Sequence, residues 1–237
     1  MKYDVTTMFP LSVYSAMIEE HKQWKEVFMN DVYGDYEYDR YNSDGDYNVV
    51  SEHCGRPVIH CDERMAEFFR LISDHIKNYC TSTLGMKDIF EVCMVKSWIS
   101  RSQENDENLP VHVHSATHIS FVYYMNVPVD SNVLVFTVKN HQNEVFQGVF
   151  GDDDEINTWM NEYTLHSTPN YQITPEEGKL VIFPSSAAHF TVPVNQTPQN
   201  FQSERLAISG DCILVLKEDE PMKYPMGYTN PKNWCVY

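Results

Sequence analysis

Two histidines, His112 and His114, stand two residues apart in the stretch P-V-H-V-H-S-A-T-H-I-S-F-V-Y-Y-M-N-V-P (110–128). On an extended chain that spacing turns both imidazoles to the same face. Neutral imidazole is a common metal ligand, so the pair forms half of a metal site that needs a third ligand. A second stretch, G-K-L-V-I-F-P-S-S-A-A-H, carries an apolar run from Gly178 to His189. A third, R-L-A-I-S, places Arg205 and Ser209 one expected strand later.

Each part has a chemical reading. Ferrous iron takes imidazole and oxygen ligands, and its oxygen-activating sites gather ligands on one face with other positions open. His112 and His114 at one strand end, with His189 from a distant strand, would make such a face. Arg205 could hold a dicarboxylate through a bidentate pair. Ser209 could add a hydrogen bond. Gly178 permits a tight turn at the start of its strand.

Other clusters fit chemistry less well. His53, Cys54, His60 and Cys61 invite a zinc reading, but their spacing matches neither common finger pattern. The run N-S-D-G-D (42–46) lacks the ligand ladder and distal Glu of a calcium loop. His118 reads as a loop residue or a support to the metal ligands, and His141 and His166 as solvated. Trp98 and Trp159 read as core or rim residues, with Trp159 able to line a mouth.

These residues need strands to position them. The run 89–100 is rich in β-formers, and further strands are expected at 118–127, 131–139, 144–150, 171–173, 179–183, 189–194 and 205–217. Many short strands separated by turn residues imply an antiparallel sandwich or barrel, not a βαβ fold. The acidic stretch 151–169 is a long excursion. Before the strands, Val13, Met17, Trp24, Val27 and Phe28 predict a helix starting at an Ser12 N-cap. The acidic, Tyr-rich stretch 31–50 predicts a surface loop. Met65, Phe68, Phe69, Ile72, Ile76 and Tyr79 form the clearest apolar helical stripe, over 62–79. The expected architecture is mainly β with supporting N-terminal helices (α+β), in one domain, 1–237. Residues 1–87 give helical support and loops, 88–217 the core, and 218–237 a C-terminal wrap.

The 237 residues carry a net charge of −17, which argues against a nucleic-acid partner, since such proteins present a basic footprint. The six cysteines include no C-x-x-C pair and suggest free thiols in a reducing compartment. The N-terminus shows no signal-peptide pattern, and no window approaches the ~18 apolar residues of a membrane span. A soluble, cytoplasmic protein without a membrane partner is expected.

Taken together, H-V-H-S-A-T-H-I-S-F-V-Y-Y-M-N-V-P, E-E-G-K-L-V-I-F-P-S-S-A-A-H-F-T-V-P-V and E-R-L-A-I-S resemble the iron(II)/2-oxoglutarate-dependent oxygenase families. The resemblance covers roughly 88–217 and implies a double-stranded β-helix, or distorted jelly roll. It implies Fe(2+) and 2-oxoglutarate as cofactors. His112 matches the first iron ligand, His189 the distal histidine, and Arg205 the arginine for the far carboxylate of 2-oxoglutarate. Tyr124 matches an aromatic position near the cosubstrate, with Tyr123 the competitor if the strand register slips by one.

One position departs from the usual pattern. His114 stands where most of these oxygenases have Asp or Glu. His114 can bind iron in a three-histidine site, it can support the metal ligands while water completes the shell, or a carboxylate from elsewhere can complete the set. The expected activity is a dioxygenase that hydroxylates a small molecule or a protein side chain and releases succinate and CO2. The alternatives are a jelly-roll binding or structural module without turnover and a cupin-type metal enzyme. Arg205 discriminates against the cupin, which needs no dicarboxylate clamp.

Overall fold

In a computed structural model, the structure describes residues 2, 4–8, 10–40, 58–102, 109–129, 131–138, 141–146, 149–150, 159–192, 204–218, 231–233 and 235. Among the described residues, eight strands make two antiparallel sheets. They are β1 (Tyr14–Met17), β2 (Phe90–Ser102), β3 (Ile119–Asn126), β4 (Val133–Thr137), β5 (Asn170–Ile173), β6 (Lys179–Pro184), β7 (His189–Val192) and β8 (Arg205–Leu216). The larger sheet runs β1-β6-β3-β8-β2 and the smaller β5-β4-β7. An isolated antiparallel bridge between His112 and His189 adds the His112 segment beside β7.

The chain order gives the topology. β2 lies in the larger sheet, the His112 segment beside the smaller, β3 in the larger, β4 and β5 in the smaller, β6 in the larger, β7 in the smaller and β8 in the larger. Two facing antiparallel sheets wound by this alternation are a double-stranded β-helix, the jelly-roll architecture expected from the sequence.

Three helices cover the outer face of the larger sheet. They are α1 (His21–Val27), α2 (Tyr33–Arg40) and α3 (Ala66–Asn78). The α3 stripe is buried as the sequence predicts, and Met65, Phe68, Ile72, Ile76 and Tyr79 are all fully enclosed. The leading segment differs from expectation. Residues 14–17 are strand, paired to β6 from Tyr14↔Ile182 to Met17↔Lys179, and helix begins only at His21. Their alternating burial follows a period of two, which wins over the helical spacing read through Val13 and Met17. The expected loop from residue 31 is also corrected. Helix continues through Phe28–Val32, a π-helical turn, into α2. Phe28, Val32, Tyr33 and Tyr36 recur at helical spacing and pack in the core, while Asp35 pairs outward with Arg64 at 2.8 Å. Acidic composition hid that spacing.

Residues 144–146 and 149–150 form turns and bends and no strand, whereas the sequence predicts one over 144–150. Most of the 218–237 wrap, the N-S-D-G-D run, His53, Cys54 and the acidic residues 151–158 lie outside the described residues. No helix among the described residues is long and apolar enough to cross a membrane.

Side chains of β3 and β8 alternate between two environments. Ile119, Phe121, Tyr123 and Met125, with Leu206, Ile208 and Cys212, pack under the helices. Tyr124 and Ala207 pack with Leu134, Phe136, Val181 and Phe183 between the sheets. The same inward register carries Ser120, Arg205, Ser209 and Asp211, all buried.

Candidate active site

The bridge between His112 and His189 brings the two histidine stretches together. Backbone bonds run both ways between these residues at 3.0 Å, and His114 N donates to Ser185 O at 2.9 Å. His112, His114 and His189 thereby converge, with one ligand atom from each lying within 4.8 Å of the others. Among the described residues, no other group has this geometry.

Hydrogen bonds settle which ring nitrogens face inward. His112 Nδ1 donates to Pro110 O at 2.7 Å, His189 Nδ1 to Ala187 O at 2.8 Å, and His114 Nδ1 to Asp211 Oδ1 at 2.6 Å. Each partner only accepts, so all three Nδ1 atoms carry the proton and Nε2 is the ring nitrogen with the lone pair in each. Burial pushes the His189 pKa down to about 4 against the pull of the Ala187 carbonyl, with His112 and His114 adding to the drop. His189 is therefore neutral at pH 7, as metal binding requires. His118 stands apart, its Nδ1 accepting from Leu214 N at 2.9 Å.

A cavity of about 480 Å³ opens from the three histidines. Its walls include Trp98, Ser100, Tyr124, Leu134, Arg205 and Ser209, so every candidate site residue lies on one space. Tyr123 does not. Its ring packs edge-on to Phe68 and its hydroxyl meets His21 Nδ1 at 2.9 Å on the helix side. Of the two tyrosines, Tyr124 is the one that lines the cavity. Trp159 is exposed, packs edge-on against Phe146, and takes no part in the cavity wall.

Arg205 sits at the first residue of β8, 4% exposed. Its Nη1 donates to Asn132 O at 2.8 Å, and its guanidinium lies 5.8 Å from the centre of the Tyr124 ring. Its Nε is buried without a hydrogen-bond partner. Among the described residues no carboxylate pairs with it, because the adjacent Glu204 is taken by Arg101 at 2.6 Å and by the Tyr33 hydroxyl at 2.7 Å. Burial lowers its pKa, and the neighbouring Tyr124 opposes the drop. A buried cation with a spare donor on a cavity wall suits an anionic ligand. Ser209 Oγ reaches Ser100 Oγ at 3.1 Å on the same wall.

Sequence reasoning missed Asp211. It is fully buried, bonds His114, accepts from Ser120 Oγ at 2.5 Å, and lies 3.2 Å from Lys96 Nζ. Burial would raise its pKa, but the His114 and Ser120 hydrogen bonds and the Lys96 charge hold it below the ordinary value. Its signal was present, since it is the single carboxylate inside the apolar strand R-L-A-I-S-G-D-C-I-L-V-L. Asp211 thus stands directly behind His114.

Residues 96–211 match the family described as "Putative 2OG-Fe(II) oxygenase". That segment contains all three histidines, Tyr124, Arg205, Ser209 and Asp211. No curated protein matches the sequence. Solved structures similar to this chain include an oxidoreductase of the 2OG-Fe(II) oxygenase family from Burkholderia pseudomallei, at 13% identity and TM-score 0.42. The likeness covers 64% of this chain and 58% of that one. A Pseudomonas putida prolyl-4-hydroxylase is similar at 15% identity and TM-score 0.37, over 63% and 65%. A Trichoplax adhaerens prolyl hydroxylase, in complex with a hypoxia inducible factor oxygen degradation domain peptide fragment, is similar at 16% and 0.39, over 64% and 58%. The chain therefore spans about three fifths of the length of the structures it resembles.

Proposed function

We propose that the chain is an iron(II)- and 2-oxoglutarate-dependent dioxygenase that hydroxylates a small molecule or a protein side chain. One observation carries this reading. Three imidazoles, each holding its Nδ1–H on an acceptor, and a buried arginine with which no carboxylate among the described residues pairs share one cavity. The donor set fits the metal, because neutral nitrogen ligands suit ferrous iron. The opposite wall fits a dicarboxylate.

On this reading His112, His114 and His189 hold the metal through Nε2, and Arg205 receives the distal carboxylate of 2-oxoglutarate. The planar guanidinium fixes that carboxylate's direction, while its existing bond to Asn132 O keeps the side chain from swinging. Tyr124 supports the guanidinium from one side, and Ser209 offers a hydroxyl along the same wall. Leu134 and Phe183 exclude water from the space between. Bound iron would use O2 and 2-oxoglutarate to oxidise a substrate C–H bond to an alcohol, with succinate and CO2 as coproducts. Arg205 also favours this reading over a cupin-type enzyme, which would have no use for a buried guanidinium on that wall.

Anaerobic addition of Fe(II) and then 2-oxoglutarate should produce a visible charge-transfer band. Admission of air should then yield succinate even without a primary substrate. A protein that gives neither the band nor succinate would overturn the proposal.

A further inference from the structure

Three imidazoles bring no negative charge to a metal. Two of them lean on neutral acceptors, the carbonyls of Pro110 and Ala187. His114 Nδ1 leans on a carboxylate, Asp211, and this is the shortest of the three bonds at 2.6 Å. Asp211 is wholly buried in the middle of β8. A buried carboxylate costs several kcal/mol unless partners compensate it. The compensation is specific. Ser120 donates to the same Oδ1 at 2.5 Å and is itself within 2.9 Å of Ser185 Oγ. Lys96 Nζ stands 3.2 Å from Oδ2, an ion pair without hydrogen-bond alignment. Oδ1 therefore stays committed to His114 and fixes both its tautomer and its ring plane. An imidazole whose N–H is held by a carboxylate is a stronger electron donor at its other nitrogen.

We infer that Asp211 is a positioning residue that acts through His114, so that His114 and Asp211 together form one anionic composite ligand in the place of a directly bound carboxylate. The inference rests on reading the three histidines as a metal site. It accounts for a buried charge aimed at a metal-facing imidazole. It also unites two of the roles open to position 114, since the histidine faces the metal and the missing carboxylate is supplied from β8.

The test is an anaerobic Fe(II) titration of the metal-free full-length protein, repeated with Co(II) because its absorption reports the ligand set. Asp211→Asn keeps an acceptor oxygen but removes the charge. It should weaken Fe(II) binding by about 10–100-fold, the range found when such supporting partners are lost. The thermal midpoint of the metal-free protein should fall, because the His114, Ser120 and Lys96 contacts favour the charged side chain, so the two-background comparison below carries the decision. In a His114→Asp background two carboxylates would face each other, so adding Asp211→Asn should tighten Fe(II) binding there. This reversal of sign separates charge supply from a structural role, which would produce the same loss in both backgrounds. Affinity of Asp211→Asn within twofold of the parent, or equal losses in both backgrounds, would overturn the inference. If Asp211→Asn does not fold, Ser120→Ala loosens Asp211 while leaving the charge, and should weaken Fe(II) binding about threefold or more. Unchanged affinity in that variant would count equally against the inference. A parent protein that binds no Fe(II) at all would remove the metal-site reading itself, a result distinct from a bound metal indifferent to Asp211.

Discussion

The two faces of β3 and β8 are made from alternate residues of the same strands, yet they differ in almost every physical respect. The face under the helices is an aromatic and aliphatic core of Phe121, Tyr123, Leu206 and Ile208 against Phe68, Phe69 and Ile72. The face toward the smaller sheet sets Ser120, Tyr124, Arg205, Ser209 and Asp211 among fewer apolar partners. The first face removes apolar surface from water and stabilises the fold. The second buries a cation and an anion, each of which opposes folding unless a partner or ligand compensates it. The molecule thus separates stability from chemistry by a single-residue alternation.

The sharpest test of that division is Phe68→Ala. Phe68 is fully buried and makes edge-on ring contacts with Trp24, Phe69 and Tyr123, the last at 5.0 Å between centroids. Truncation should cost about 3–5 kcal/mol in urea denaturation. Fe(II) and 2-oxoglutarate affinities of the folded fraction should stay within about twofold of the parent, because Phe68 touches only the helix face. A comparable loss of affinity would break the comparison.

Acid should act next most strongly. His189 has a folded pKa of about 4, lowered first by burial, and His21, His60, His75 and His118 are lowered for the same reason. A lowered histidine pKa means that the unfolded chain takes up more protons, so stability rises with pH between the two values. The metal-free protein should be insensitive above about pH 7 and lose stability steadily from pH 6.5 toward pH 4, with His189 alone contributing about 3 kcal/mol of the loss. The lowered carboxylates Asp62, Asp211 and Glu177 act in the other window, since their contributions are present above their unfolded values and vanish as pH falls further. Denaturation across pH of the parent and of His189→Asn checks this, and the variant should have the flatter curve between pH 4 and 6.5.

Arg205→Met should separate the two properties in opposite directions. Replacing a buried, carboxylate-free guanidinium by an apolar side chain of similar length should leave the thermal midpoint unchanged or raise it. Binding of 2-oxoglutarate, followed through the charge-transfer band, should weaken by about 2–3 kcal/mol, the usual worth of a charge-assisted bond to a carboxylate. A destabilised variant that still bound 2-oxoglutarate would place Arg205 with the structural residues.

These contrasts also explain what the sequence could and could not disclose. His112 and His114 were legible because a spacing of two has one meaning on a strand, and His189 and Arg205 because each closes or opens an apolar run. The long amphipathic stripe of α3 was legible for the same reason, as its period persists over four turns. Short segments misled. Residues 14–17 satisfy a helical and an extended pattern together, and pairing with β6 decides between them. The helix through 28–40 was masked by its acidic face. Asp211 escaped because its partner lies 97 residues away, a contact that only the sheet register creates.

The smallest effects should come from the adjacent tyrosines, and they isolate the alternation with one oxygen atom each. Tyr123→Phe removes the hydroxyl that meets His21 Nδ1 under the helices and leaves that buried nitrogen without its partner. It should cost about 1 kcal/mol of stability and leave 2-oxoglutarate affinity unchanged. Tyr124→Phe removes a hydroxyl from the cavity side of the strand, beside Arg205. It should change stability by less than about 0.5 kcal/mol and weaken 2-oxoglutarate binding by about 1 kcal/mol, or roughly fivefold. Denaturation and ligand titration of the two variants form a two-by-two comparison at neighbouring positions. If both variants lost stability and affinity alike, the faces would be coupled through the strand, and the separation of fold from chemistry would fail at the place where it should be cleanest.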